Sequence, residues 1–115
     1  MKKNNQKNTC ERKNFDEEAI ETINEIRKNA WDEIELVNRA KRDLRKDIKE
    51  GFKEYKREMK DSDSYFADEY ISQAKEDMKT MRKAVREEAF DINHEIRQEA
   101  RNEIKDIIEN QEDKC

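Results

Sequence analysis

The stretch KDSDSY, residues 60–65, is the place where an otherwise uninterrupted helical pattern stops and starts again. Ser and Asp favour caps and local side-chain hydrogen bonds over the interior of a helix. Each of Ser62, Asp63 and Ser64 suits the N-cap of a following helix, with Asp68 and Glu69 in its first turn. The break lies almost midway between the outermost apolar positions, Phe15 and Ile107. A turn there leaves two arms of roughly 45 residues, each about 65–70 Å long. The competing reading is one continuous helix of about 140 Å, which the lack of a glycine for a left-handed C-cap supports. The turn chemistry of DSDS favours the hairpin.

Working outward, the apolar positions before the break are Phe15, Ala19, Ile23, Ile26, Ala30, Ile34, Val37, Ala40, Leu44, Ile48, Phe52, Tyr55 and Met59, a mean step of 3.67 residues. After it they are Phe66, Tyr70, Ala74, Met78, Met81, Val85, Ala89, Ile92, Ile96, Ala100, Ile104 and Ile107, a mean step of 3.73. Both steps match an eleven-residue repeat, whose seam is straight or slightly right-handed, rather than the heptad of a left-handed coiled coil. The fold class expected is therefore all-α: two long antiparallel helices pairing further into a four-helix-bundle dimer. The boundaries expected are a disordered basic tail over 1–14, a helix over 15–60 capped by Asn14, a turn over 61–64, a helix over 65–110 and a short tail over 111–115. A hairpin centred at 62–63 sets residue i against 125 − i, which brings Trp31 opposite His94 and lets Phe52 and Tyr55 meet Phe66 and Tyr70.

Composition narrows the function classes. Of 115 residues, 49% are charged and 32% apolar, Pro is absent and Gly occurs once, so a thick core is excluded and few bends are possible. No apolar run approaches the roughly 18–20 residues that span a bilayer, and the opening MKKNNQKNTC has no apolar signal segment. These features predict a cytoplasmic protein. One histidine cannot supply the paired carboxylate-and-histidine ligands of a di-metal bundle, and two helices enclose no substrate pocket. No catalytic residue, metal or cofactor is expected, and the chain is read as non-enzymatic. The segment EEAFDINHEIRQEARNEIKDIIEN, residues 87–110, resembles the stalk helices of rotary ATPase peripheral subunits and phasin-type amphipathic helices in periodicity and composition alone.

Charge carries more information. Residues 15–38 hold 2 basic and 8 acidic side chains and residues 39–60 hold 10 and 5; residues 64–86 hold 5 and 4, and residues 87–110 hold 3 and 8. Two series spaced i, i+4 follow from this, the basic Lys41, Arg45, Lys49, Lys53 and Arg57 and the acidic Glu87, Asp91, Glu95, Glu99 and Glu103. They are the candidate interaction residues. Two hairpins laid antiparallel, turn to open end, bring the series together, which predicts a structural, scaffolding or adaptor protein acting through helix–helix association with a second copy or a partner helix. The alternative is binding of nucleic acid or an anionic membrane or granule surface through the basic half, residues 39–60.

Cys10 and Cys115 stand at opposite ends of the sequence and suit neither a metal site nor a redox motif. A reducing compartment keeps them as thiols. A turn at DSDS delivers both to the same open end, whereas a continuous helix holds them far apart. Mild oxidation at low concentration is therefore expected to give an intramolecular Cys10–Cys115 disulfide that migrates as a compact monomer on non-reducing gels. Covalent dimers alone at high dilution are the outcome of the long-helix alternative.

Overall fold

The computed structural model describes residues 17–113 and contains two helices, α1 (Glu17–Asp61) and α2 (Ala67–Asp113), packed against each other as a hairpin. No strand occurs among the described residues. The basic tail, the Asn14 cap, Phe15 and both cysteines lie outside that range. The chain divides into two units that draw on both helices. Unit 1 pairs residues 17–34 with 94–113, and unit 2 is the turn-bearing segment Glu35–Asn93.

The turn occupies residues 62–66, so α2 starts two residues later than expected and runs to Asp113 rather than stopping at 110. Its hydrogen bonds explain how a hairpin forms without glycine. Asp63 takes the left-handed conformation, φ 53°, that usually falls to Gly after a helix end. Its N–H donates to the Lys60 carbonyl at 3.4 Å, while the Ser62 hydroxyl donates to the Met59 carbonyl at 2.6 Å, so two of the final carbonyls of α1 are satisfied. Ser64 then opens α2. Its hydroxyl accepts the Phe66 N–H at 3.4 Å and its carbonyl accepts the Ala67 N–H at 3.1 Å. Tyr65 and Phe66 pack edge to face, centroids 5.0 Å apart, and Phe66 meets Tyr70 at 6.3 Å.

Both seams follow the eleven-residue repeat without slippage. In α1 the buried and half-buried positions advance by steps of four, three and four residues from Ala19 through Ile23, Ile26, Ala30 and Ile34 in unit 1, and from Val37 through Lys41, Arg45, Ile48 and Phe52 in unit 2. In α2 the same rhythm gives Ala67, Ile71, Ala74, Met78, Arg82, Val85, Ala89 and Asn93 in unit 2, then Ile96, Ala100, Ile104, Ile107 and Gln111 in unit 1. This corrects the apolar stripe at seven positions. Ala40, Leu44, Tyr55, Phe66, Tyr70, Met81 and Ile92 are exposed, and at all of them but Tyr55 the following residue faces inward instead: Lys41, Arg45, Ala67, Ile71, Arg82 and Asn93. One residue is about 100° of rotation, so a rigid helix keeps its pitch and accepts polar residues where the repeat falls on them. Long Lys and Arg stems cover apolar surface while their charged ends reach water.

The register of unit 2 is marked by Asn93, whose side-chain amide donates to the Asn38 Oδ1 at 2.9 Å. Antiparallel pairing then sets residue i against 131 − i, not 125 − i. Tyr55 is level with Glu76 rather than Tyr70, and the expected aromatic pairs across the hairpin do not form. In unit 1, Trp31 lies beside Arg97, Ala100 and Arg101 rather than His94.

The turn predicts its own test. An L-residue in the left-handed region is strained by roughly 1 kcal/mol, so Asp63→Gly should raise stability by about 0.5–1 kcal/mol in urea melts. Asp63→Val should lower it, because a β-branched side chain tolerates that conformation least.

Candidate interaction surfaces

The sequence-predicted interaction residues divide between seam and surface. Lys41 and Arg45 are half-buried, whereas Lys49, Lys53, Arg57, Glu87, Asp91, Glu95, Glu99 and Glu103 are exposed. Among the described residues no ion pair joins the basic series to the acidic one. Glu87 pairs locally with Lys83 at 3.9 Å. The other ion pairs, Lys46–Glu50, Lys79–Glu76 and Lys105–Glu109, are likewise within one helix, solvent-exposed and 3.5–4.0 Å long. Such pairs contribute about 0.3–0.5 kcal/mol each and do not choose a partner helix. No group of three or more metal-ligating side chains occurs among the described residues.

The residues displaced from the stripe form a surface of their own in unit 2. Tyr70, Met81 and Ile92 are spaced eleven apart on α2, and Leu44 and Tyr55 eleven apart on α1. At this pitch eleven residues complete three turns, so each set makes a straight row along its helix. Both rows are offset from their seams by about 65° in the same rotational sense, which in antiparallel helices means the same side of the pair. The equivalent rows in unit 1 bear this out, since Glu33 of α1 and Glu103 of α2 line one common groove there.

With residue i facing 131 − i, the five side chains alternate between helices along the face: Ile92, Leu44, Met81, Tyr55, Tyr70. Steps of five and six residues put them about 8 Å apart. Each retains between 37% and 54% of its full exposure. The next row outward carries Asp77 and Glu88 on α2 and Ala40 and Gly51 on α1, where Asp47 and Glu58 stand one row further out, all exposed. The ladder is apolar with a carboxylate rim, and sequence reasoning assigned its members to the interior. Its signal was present nevertheless, in the strict eleven-residue spacing of two rows rather than one.

Gly51, the one glycine of the chain, belongs to this face. It lies eleven residues after Ala40 and four before Tyr55, and a Cβ placed on it would meet nothing within 4 Å. Nothing among the described residues requires a glycine there.

Unit 1 presents the opposite chemistry. A groove of about 550 Å³ runs between its helices, with a floor of Ala30, Ile34, Ala100, Ile104 and Ile108 and the 70%-exposed Trp31 at its side. Arg27, Arg97, Arg101 and Lys105 line the same groove. They are four of the five Lys and Arg residues in the described part of this unit, which holds thirteen Asp and Glu. Basic side chains in an acidic unit are thus collected on one face, and none of the three arginines has an ion pair among the described residues.

No family model matches the chain, and no characterised protein or solved structure is significantly similar to it. No helix of the described residues is long and apolar enough to cross a membrane.

Gly51→Ala is expected to stabilise the dilute protein by about 1 kcal/mol in urea melts, because the methyl enters open space and restores helix propensity. A loss of stability would mean that the glycine answers a constraint inside the hairpin.

Proposed function

We propose that this protein is a non-enzymatic structural or adaptor element that acts through helix–helix association, with a second copy as its partner. The observation that carries the reading is the alternating ladder of Ile92, Leu44, Met81, Tyr55 and Tyr70 on one side of unit 2. Five large apolar side chains in two rows of common pitch are more than the scattered exposed apolar residues of an ordinary surface. The pitch is that of the chain's own seams, so another copy supplies helices able to stay in phase with it.

Gly51 adds a second line of support. A helical glycine costs about 1 kcal/mol relative to alanine, and its position on this face suits close approach of another backbone. The polyanion alternative through residues 39–60 has less behind it, since Lys41 and Arg45 are half-buried in the seam and Asp43, Asp47, Glu50, Glu54 and Glu58 interrupt the patch.

Sedimentation velocity over a concentration series tests the proposal. The wild-type chain is expected to associate in the micromolar range, and Met81→Asp to shift association to at least tenfold higher concentration, because a carboxylate would enter the apolar contact. Helicity by circular dichroism should be unchanged, since Met81 is exposed in the hairpin. A wild-type chain that stays monomeric at hundreds of micromolar would refute the reading.

A further inference from the structure

Two surfaces of this molecule are complementary in both polarity and charge, and they lie on different units. The ladder of unit 2 is apolar with Asp77 and Glu88 along its edge and Asp47 and Glu58 one row further out. The groove of unit 1 is apolar with Arg27, Arg97, Arg101 and Lys105 around it. Four carboxylates stand against four cations, and protruding side chains against a concave floor. The lengths are comparable, about 17 Å from Asp77 to Glu88 and about 12 Å from Arg97 to Lys105 along α2.

Resting on the self-association reading, we infer that the carboxylate-rimmed ladder of unit 2 seats in the Trp31 groove of a second copy, so that copies join head to tail. A contact of ladder on ladder would set the two carboxylate rims together, and groove on groove would oppose eight cations. Like charges so placed weaken those two-fold alternatives, whereas ladder in groove neutralises both rims. Ala30 and Ala100 in the groove floor and Gly51 and Ala40 on the ladder face let the helices approach closely. A long polyanion is a poorer occupant of the groove, because the surrounding surface of unit 1 is strongly acidic.

Head-to-tail contact has a consequence that a two-fold dimer lacks. Each copy buries its ladder in one neighbour and offers its own groove to another, so growth continues into open chains unless the rotation between copies closes a ring. Association should depend steeply on concentration and weaken with salt, as charges at a surface are screened within about 8 Å at physiological ionic strength.

Complementation of broken surfaces tests this. R97E/R101E removes the groove's charge and leaves the ladder intact; D77K/E88K does the reverse. All four positions are exposed, so helicity is expected to persist, and the neutral pairs R97Q/R101Q and D77N/E88N serve as milder versions. Each variant alone is expected to lose self-association by roughly tenfold or more at low salt.

A mixture of D77K/E88K, whose groove is intact, with R97Q/R101Q, whose ladder is intact, should give a one-to-one complex and no larger species. Trp31 is the one tryptophan of the chain, so its emission reports burial of the groove directly. It should shift to the blue on mixing but not in either variant alone. If both variants still dimerise separately, or the mixture gives no complex while the wild type associates, head-to-tail seating is wrong and self-association stands on another surface. A wild-type chain monomeric at every concentration overturns this inference together with the reading it rests on.

Discussion

Two long helices laid side by side have no intrinsic stop against sliding, and the rest of this hairpin depends on whatever fixes their register. In unit 2 the Asn93–Asn38 hydrogen bond does so. Seams of Ile, Val and Ala tolerate axial shifts that keep apolar contact, but a shift here would part Asn93, which is 8% exposed, from Asn38. Leaving a buried amide unpaired costs about 1–3 kcal/mol, which makes the offset registers worse than the observed one. The device has its own cost, because the Asn93 Oδ1 is buried with no partner. A polar pair that specifies register while lowering stability is familiar from coiled-coil seams.

The same trade appears in the basic residues of that seam. The Nε atoms of Arg45 and Arg82 are buried without a hydrogen bond, and both side chains are half-buried. Had the seam of unit 2 followed hydrophobicity, Leu44, Met81 and Ile92 would lie inside. Instead the pitch set by Ile23, Ile26 and Ile34 in α1, and by Ile96, Ile104 and Ile107 in α2, is kept throughout each helix. The apolar residues excluded by that pitch become the exposed ladder. Surface and seam are thus one consequence of a rigid repeat applied to a sequence that carries two apolar rows.

What the sequence made legible follows from this. The helices, the break at DSDS and the eleven-residue repeat were readable, because propensity and mean spacing survive errors of one residue. The phase of the seam was not. An apolar residue and its polar neighbour differ by one position, and choosing the apolar member at Leu44, Tyr70, Met81 and Ile92 turned an external face into an imagined core. The left-handed role of Asp63 was hidden for a related reason, since Asp tolerates that conformation without announcing it as Gly does. The charge series at i, i+4 were found by spacing, yet each winds around its helix, and side chains sharing a row stand eleven apart. The groove cations were missed because Arg27 lies on α1 and Arg97, Arg101 and Lys105 on α2, and only pairing of the helices collects them.

A hairpin this thin has little reserve. Among the described residues no side chain is fully buried, and the apolar ones below one-tenth exposure are Ala19, Ile23, Ile34 and Ala89. Burying an isoleucine contributes about 1.5–3 kcal/mol, against about 1–2 kcal/mol of backbone entropy for every residue fixed, so intrinsic helix propensity must supply much of the order. Against that background a mid-helix glycine and an exposed apolar ladder both lower what the isolated hairpin can gain. Charge placement works in the same direction: gathering the cations on one face of an acidic unit leaves Arg27, Arg97 and Arg101, among the described residues, without the i, i+4 pair that Lys105 makes with Glu109. Each of these three features costs the single hairpin stability and offers a second helical surface something to bury or neutralise, and their coincidence is the physical reason for reading the molecule as one member of an assembly.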